Sequence, residues 1–164
     1  LEKEKVVEIK PKDSKDVSYN SNIIEDVYYS SRDAKGNEYI IKASQGEIDY
    51  KQTEIIYLTN VTALIKLTNS NDVEITSKYG KYNSNNLDTI FSKNVVINYQ
   101  ENEITSEYLD FSMKRNSMII SKNVIYTNLE NILKADVIEM NIESKDTKIF
   151  MYEKEKKVNI KSKD

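Results

Sequence analysis

From Asn22 onward the chain alternates apolar and polar residues with a period of two, and clusters of Asn, Asp and Ser interrupt the alternation. Ile75, Ser77 and Tyr79 share one face, with Thr76, Lys78 and Gly80 on the other; Ile104, Ser106 and Tyr108 repeat this opposite Thr105 and Glu107. That period is the mark of a strand with one covered face. The polar clusters fall at 33–37, 69–72, 83–86, 100–102, 114–116, 128–131 and 144–146, about 14 residues apart from residue 70 on. Asn and Asp suit turns because their side chains bond nearby backbone and tolerate left-handed conformations. The segments between clusters are about 10 to 12 residues long, twice the common strand of roughly 5–6. The alternation is less clean over 129–143, where a helix is the alternative.

The pattern also repeats. Ile75-Thr76-Ser77 returns 29 residues later as Ile104-Thr105-Ser106, and again as Leu133-Lys134-Ala135. Ser92-Lys93-Asn94-Val95 recurs at the same step as Ser121-Lys122-Asn123-Val124. An earlier copy, Ile41-Lys42-Ala43 with Asn60-Val61, precedes these by 34 residues. A fixed period of this size marks stacked units that cover one another's apolar faces. Two strands per unit predict an antiparallel meander, and the repeat phase favours strand over helix for 129–143. The alternation slips at the Asn-Val steps, which predicts a bulge or bend there. Bent strands let one strand serve two facing sheets, giving a sandwich or open roll with an apolar trough.

Aligned copies place Tyr79, Tyr108 and Val137 in one row, Tyr82, Phe111 and Met140 in a second, and Ile90 and Ile119 in a third. Such rows are ordinarily core. If the sheets do not close, they line a groove for an extended apolar ligand; residue types alone do not separate the two. A meander also leaves an edge at each end. Val158-Asn159-Ile160 is flanked by Lys154, Lys156, Lys157 and Lys161, either as lysine gatekeeping or as an edge kept for a partner strand.

Composition narrows the chemistry. The chain has 164 residues, enough for one domain, with a net charge of -3 and no cysteine or histidine. The usual general base, the thiol nucleophile and the commonest metal ligands are therefore missing. Three glycines cannot build a phosphate-cradling loop. Acidic pairs such as Glu25-Asp26 suit a solvated surface, and there is no tryptophan for a sugar platform. No enzyme activity and no cofactor are expected. Mixed charge shows no basic face for nucleic acid, and no apolar run is long enough to span a bilayer. Residues 1–18, with the only proline, Pro11, read as a linker or loosely held leading segment before a single domain at 19–164. The chain begins with Leu1 rather than Met.

The stretch from Tyr39 to Met151 resembles the LptC-type lipopolysaccharide-export proteins, which share an OstA-like domain with LptA. The resemblance lies in Tyr39-Ile40-Ile41-Lys42-Ala43, in Val73-Glu74-Ile75-Thr76-Ser77-Lys78-Tyr79-Gly80-Lys81-Tyr82, in Phe91-Ser92-Lys93-Asn94-Val95-Val96-Ile97 and in Ile104-Thr105-Ser106-Glu107-Tyr108-Leu109. It implies an all-β, folded-over antiparallel β-jellyroll with an open trough for the acyl chains of lipopolysaccharide. The implied lining is Ile41, Ala43, Ile56, Leu58, Ile75, Ser77, Tyr79 and Tyr82 in the first half of the domain. In the second half it is Ile90, Val95, Ile97, Ile104, Tyr108, Phe111, Ile119, Val124 and Met140. It implies a periplasmic bridge protein that joins an LptA-like partner through sheet edges, here Ile149, Phe150, Met151, Val158 and Ile160. It further implies docking on an inner-membrane ABC export complex and anchoring by an N-terminal helix that this chain does not contain. A soluble LptA-type protein and a closed-core β-repeat interaction module are the alternatives.

Overall fold

The computed structural model describes residues 4–9, 22–152 and 159–162. These form a single antiparallel sheet: β1 (Glu4–Ile9), β2 (Ile23–Arg32), β3 (Glu38–Ile48), β4 (Ile55–Lys66), β5 (Val73–Asn83), β6 (Thr89–Tyr99), β7 (Asn102–Ser112), β8 (Ser117–Thr127), β9 (Asn131–Asn141), β10 (Thr147–Phe150) and β11 (Asn159–Ser162). Strands β1 to β10 pair in chain order, and β11 pairs with β9. The meander is as the repeat predicts, and 129–143 carries a strand rather than a helix.

Two expectations are corrected. Glu4–Ile9, expected within the leading linker, is a strand paired from Ile9↔Val27 to Glu4↔Arg32. A further turn lies at 49–54, where Asp49 Oδ1 accepts the amides of Lys51 and Gln52. The same side-chain device shapes other turns: Asp33 accepts Lys35 N, Asn83 accepts Asn85 N and Asn128 accepts Glu130 N.

The strands bend where the Asn-Val steps stand. Register slips between Ser92 and Val95 on β6 and between Ser121 and Val124 on β8. Asp26, Asn60, Lys93, Asn94, Lys122 and Asn123 all have positive φ. The extra residues form a crease across the sheet. Close packing inside it excludes larger side chains: a Cβ on Gly80 would lie 3.2 Å from Val61 Cγ2, and one on Gly46 2.9 Å from Val27 Cγ2.

Folding along the crease brings distant strands together. Tyr39 on β3 and Phe111 on β7 are four strands apart, ~19 Å in a flat sheet, yet their ring centroids are 4.8 Å apart. Two facing walls result. Wall I consists of the strand halves next to the β2–β3, β4–β5, β6–β7 and β8–β9 turns. Wall II consists of the halves next to the intervening turns. The core between them is almost wholly apolar, with Tyr29, Tyr39, Tyr82, Phe91 and Phe111 fully buried at its centre.

Candidate functional site

The space between the walls is the candidate site, and its character changes along the stack. Wall II runs three to four strands ahead of wall I: Tyr29 on β2 packs on Tyr82 of β5, with ring centroids 5.1 Å apart, and Tyr39 on β3 packs on Phe111 of β7. Wall II ends at β10, so the wall I halves of β8 and β9 reach beyond it. Burial follows this offset. In one repeat row Ile75 and Ile104 are 0% and 3% exposed, while Leu133 is only half-buried. In another, Tyr82 and Phe111 are buried and Met140 is half-buried.

The centre is sealed. Tyr39 Oη lies 2.7 Å from Thr89 Oγ1, and Thr89 donates to the Leu87 carbonyl. This satisfies a polar pair inside an apolar core. Burial pushes the phenols of Tyr29, Tyr39 and Tyr82 above their ordinary value. Toward the C-terminal end a cavity of about 100 Å³ opens between Val73, Ile97, Tyr99, Asn102, Ile104, Met118, Tyr126, Met140, Lys145 and Thr147. That is below the ~150 Å³ of an engineered void that holds benzene.

Of the residues expected to line a trough, Ile41, Ala43, Ile56, Leu58, Ile75, Ser77, Tyr82, Val95, Ile97, Ile104, Phe111 and Val124 are buried between the walls. Only Ile97, Ile104 and Met140 of the full set reach the cavity. Ser77 and Ser106 spend their hydroxyls on the carbonyls of Tyr79 and Tyr108 at the crease.

Tyr79, Tyr108, Ile90 and Ile119 are corrections. On β5 and β7 the alternation reverses across the crease, so Gly80 and Leu109 face inward in place of Tyr79 and Tyr108. On β6 and β8 the phase is the same on both sides of it, and Ile90 and Ile119 alternate with the inward Thr89, Phe91, Met118 and Ile120. Tyr79 is 38% exposed on the outer face. Lys78 and Lys93 stand 5.3 and 5.8 Å from its ring centroid, and Lys122 stands 5.1 Å from that of Tyr108. Tyr99, Met118, Tyr126 and Lys145 were missed as cavity residues. The repeat offered a partial signal for Met118, which neighbours the selected Ile119 row.

The C-terminal edge is split between the walls. β10 pairs with Val137–Met140 of β9 in wall II, and β11 pairs with Asn131–Lys134 of β9 in wall I. Ile149 and Phe150 are 39% and 42% exposed, and Met151 directly follows β10. Ile160 pairs with Leu133, and Val158 lies outside the described residues. No group of side chains suited to a metal ion occurs among the described residues.

A family profile described as lipopolysaccharide-assembly, LptC-related, matches residues 1–163. The fold is similar to the crystal structure of LptH, the LptA-homologous periplasmic component of the lipopolysaccharide transport device of Pseudomonas aeruginosa. The TM-score is 0.56 at 9% identity, covering 74% of this chain and 92% of that one. At that identity the likeness speaks for the fold alone. No curated protein sequence matches the chain.

Proposed function

This chain belongs to the LptC-related lipopolysaccharide-assembly family, and we propose that it acts there as a non-enzymatic, periplasmic holder of lipopolysaccharide acyl chains. The observation that carries this reading is the apolar cavity at the C-terminal end, where the offset of the walls leaves Tyr126 and Met140 only half-buried. Each methylene taken from water into such a site contributes about 0.8 kcal/mol. No bond need be made or broken, so the chain requires no catalytic group. Flow would be driven by an ATPase elsewhere. An inner-membrane ABC export complex as docking partner, and anchoring by a preceding helix, belong to the same proposal.

The exposed backbone of β10 and the apolar Ile149 and Phe150 beside it support docking of an LptA-like partner by strand addition. Placing Pro at Met151 removes an amide donor just past β10. Met151→Pro is expected to abolish partner capture in a pull-down while leaving the fold and lipid binding intact. Normal capture by a folded variant rejects this edge.

The acyl assignment is tested with a photo-crosslinking amino acid at Tyr126 or Met140, and at Tyr79 or Tyr108 as outer-face controls. Adducts with lipopolysaccharide are expected at the first pair. Adducts confined to the outer-face pair would overturn the reading. The sealed centre supports a second reading, a protein-interaction module with a closed core, which predicts no adduct at any of the four positions.

A further inference from the structure

Two turns of wall II, two repeats apart, are built alike. In the β5–β6 turn, Asn83 Oδ1 accepts the amides of Asn85 and Asn86, and Leu87 N bonds to Asn83 O. In the β9–β10 turn, Asn141 Oδ1 accepts the amides of Glu143 and Ser144, and Lys145 N bonds to Asn141 O. Leu87 and Lys145 hold the same place two repeats apart, both with positive φ. Leu87 is 3% exposed and plugs the sealed centre. Lysine stands at that place beside the open cavity.

Among the described residues Lys145 makes no ion pair. Its ammonium donates to the Ile142 carbonyl, reaches Ser70 Oγ at 3.4 Å, and stands 4.7 Å from the Tyr99 ring centroid. All three partners are neutral. Among the described residues no carboxylate lies within ion-pair distance of it; neighbouring Glu143 instead meets Lys35 at 3.8 Å. Burial pulls the ammonium below its ordinary value, against an upward pull from Glu143. Beyond Ser70 and Glu143 lies a polar cleft of about 480 Å³, lined also by Lys35, Asn37, Thr68 and Asn69. Lys145 thus lines the apolar cavity while its ammonium reaches Ser70 on the rim of the polar cleft.

We propose that Lys145 and the cleft beside it form a head-group subsite for a phosphate-bearing amphiphile whose acyl chain enters the cavity between Met118, Tyr126 and Met140. The inference rests on the acyl-binding reading above. Phosphate fits better than carboxylate because the cleft next to Ser70 is roomy and is lined by Thr68, Asn69 and Lys35, the last of which also holds the Glu143 carboxylate on the same rim. Lysine serves phosphate as a point charge.

Calorimetric titration below the critical micelle concentration, at low salt, tests this with three twelve-carbon probes: dodecyl phosphate, laurate and octaethylene glycol monododecyl ether. The intact chain is expected to bind dodecyl phosphate about tenfold more tightly than the neutral ether, and more tightly than laurate. Lys145→Gln removes the preference for phosphate over the ether. Lys145→Arg retains it, which separates charge from folding, and matching thermal melts confirm that both variants are folded. Equal affinity for phosphate and ether, or an unchanged preference in Lys145→Gln, overturns the subsite while the acyl reading stands. Laurate equal to dodecyl phosphate overturns the phosphate assignment. No binding of any probe overturns the acyl cavity and the subsite with it.

Discussion

Hairpin β5–β6 and hairpin β9–β10 are the same unit two repeats apart, with matching strand phases and turn hydrogen bonds. One closes the molecule and the other leaves it open. Tyr82, Leu87 and Phe91 of the first are buried under wall I strands that began earlier in the chain. Met140 and Lys145 of the second face a wall that has nearly run out of partners. The repeated sequence makes the same shape each time, and the offset between walls decides what that shape encloses. A repeat protein built this way acquires a mouth at one end without any special loop to form it.

Truncation at equivalent places should break the symmetry most visibly. Phe111 and Met140 share a repeat row, but Phe111 is wholly enclosed and touches the Tyr39 and Phe91 rings. Phe111→Ala is expected to cost about 3–5 kcal/mol, and Met140→Ala, at a half-buried place, about 1 kcal/mol. Urea unfolding measures both, and equal losses would mean that the open end is as tightly packed as the centre.

Alkaline pH should strike the centre through its buried phenols. Tyr29, Tyr39 and Tyr82 have phenols raised above their ordinary value of 10.0 by burial. Above about pH 10 the unfolded chain loses these protons while the folded chain keeps them. Their contribution is thus full below pH 10 and is lost as pH rises toward the folded values. Stability is expected to fall steadily above pH 10, with a shallower slope in Tyr82→Phe. An unchanged slope in that variant would remove Tyr82 from the account.

The smallest effect belongs to the crease. Lys122 has φ of 67°, a conformation that glycine adopts more easily, yet its ammonium stands over the Tyr108 ring. Glycine would relieve the backbone strain and forfeit the cation–π attraction, and the two are comparable in size. Lys122→Gly should therefore shift stability by less than ~0.5 kcal/mol. A larger loss in thermal melts would show that the Lys–Tyr pairs hold the bend.

The repeat and the alternation by themselves determined the strand class, the meander order, the turns built on Asn and Asp, and the place of the bends at the Asn-Val steps. Each is a local property, set by backbone preference over a few residues or by a period that any copy reports. The row of Tyr82, Phe111 and Met140 was legible for the same reason. The direction of Tyr79 and Tyr108 was not, because the alternation reverses at the crease on β5 and β7, and Ile90 and Ile119 stand in runs of consecutive apolar residues where only the fold selects the inward ones. Pairing of Glu4–Ile9 with β2 was hidden in a charged segment whose strand character depends on the edge it joins. Which apolar rows are core and which line a cavity is non-local altogether. Ile75 and Leu133 read alike in sequence, and only the fold, by laying wall II several strands ahead of wall I, buries the first and leaves the second half-exposed.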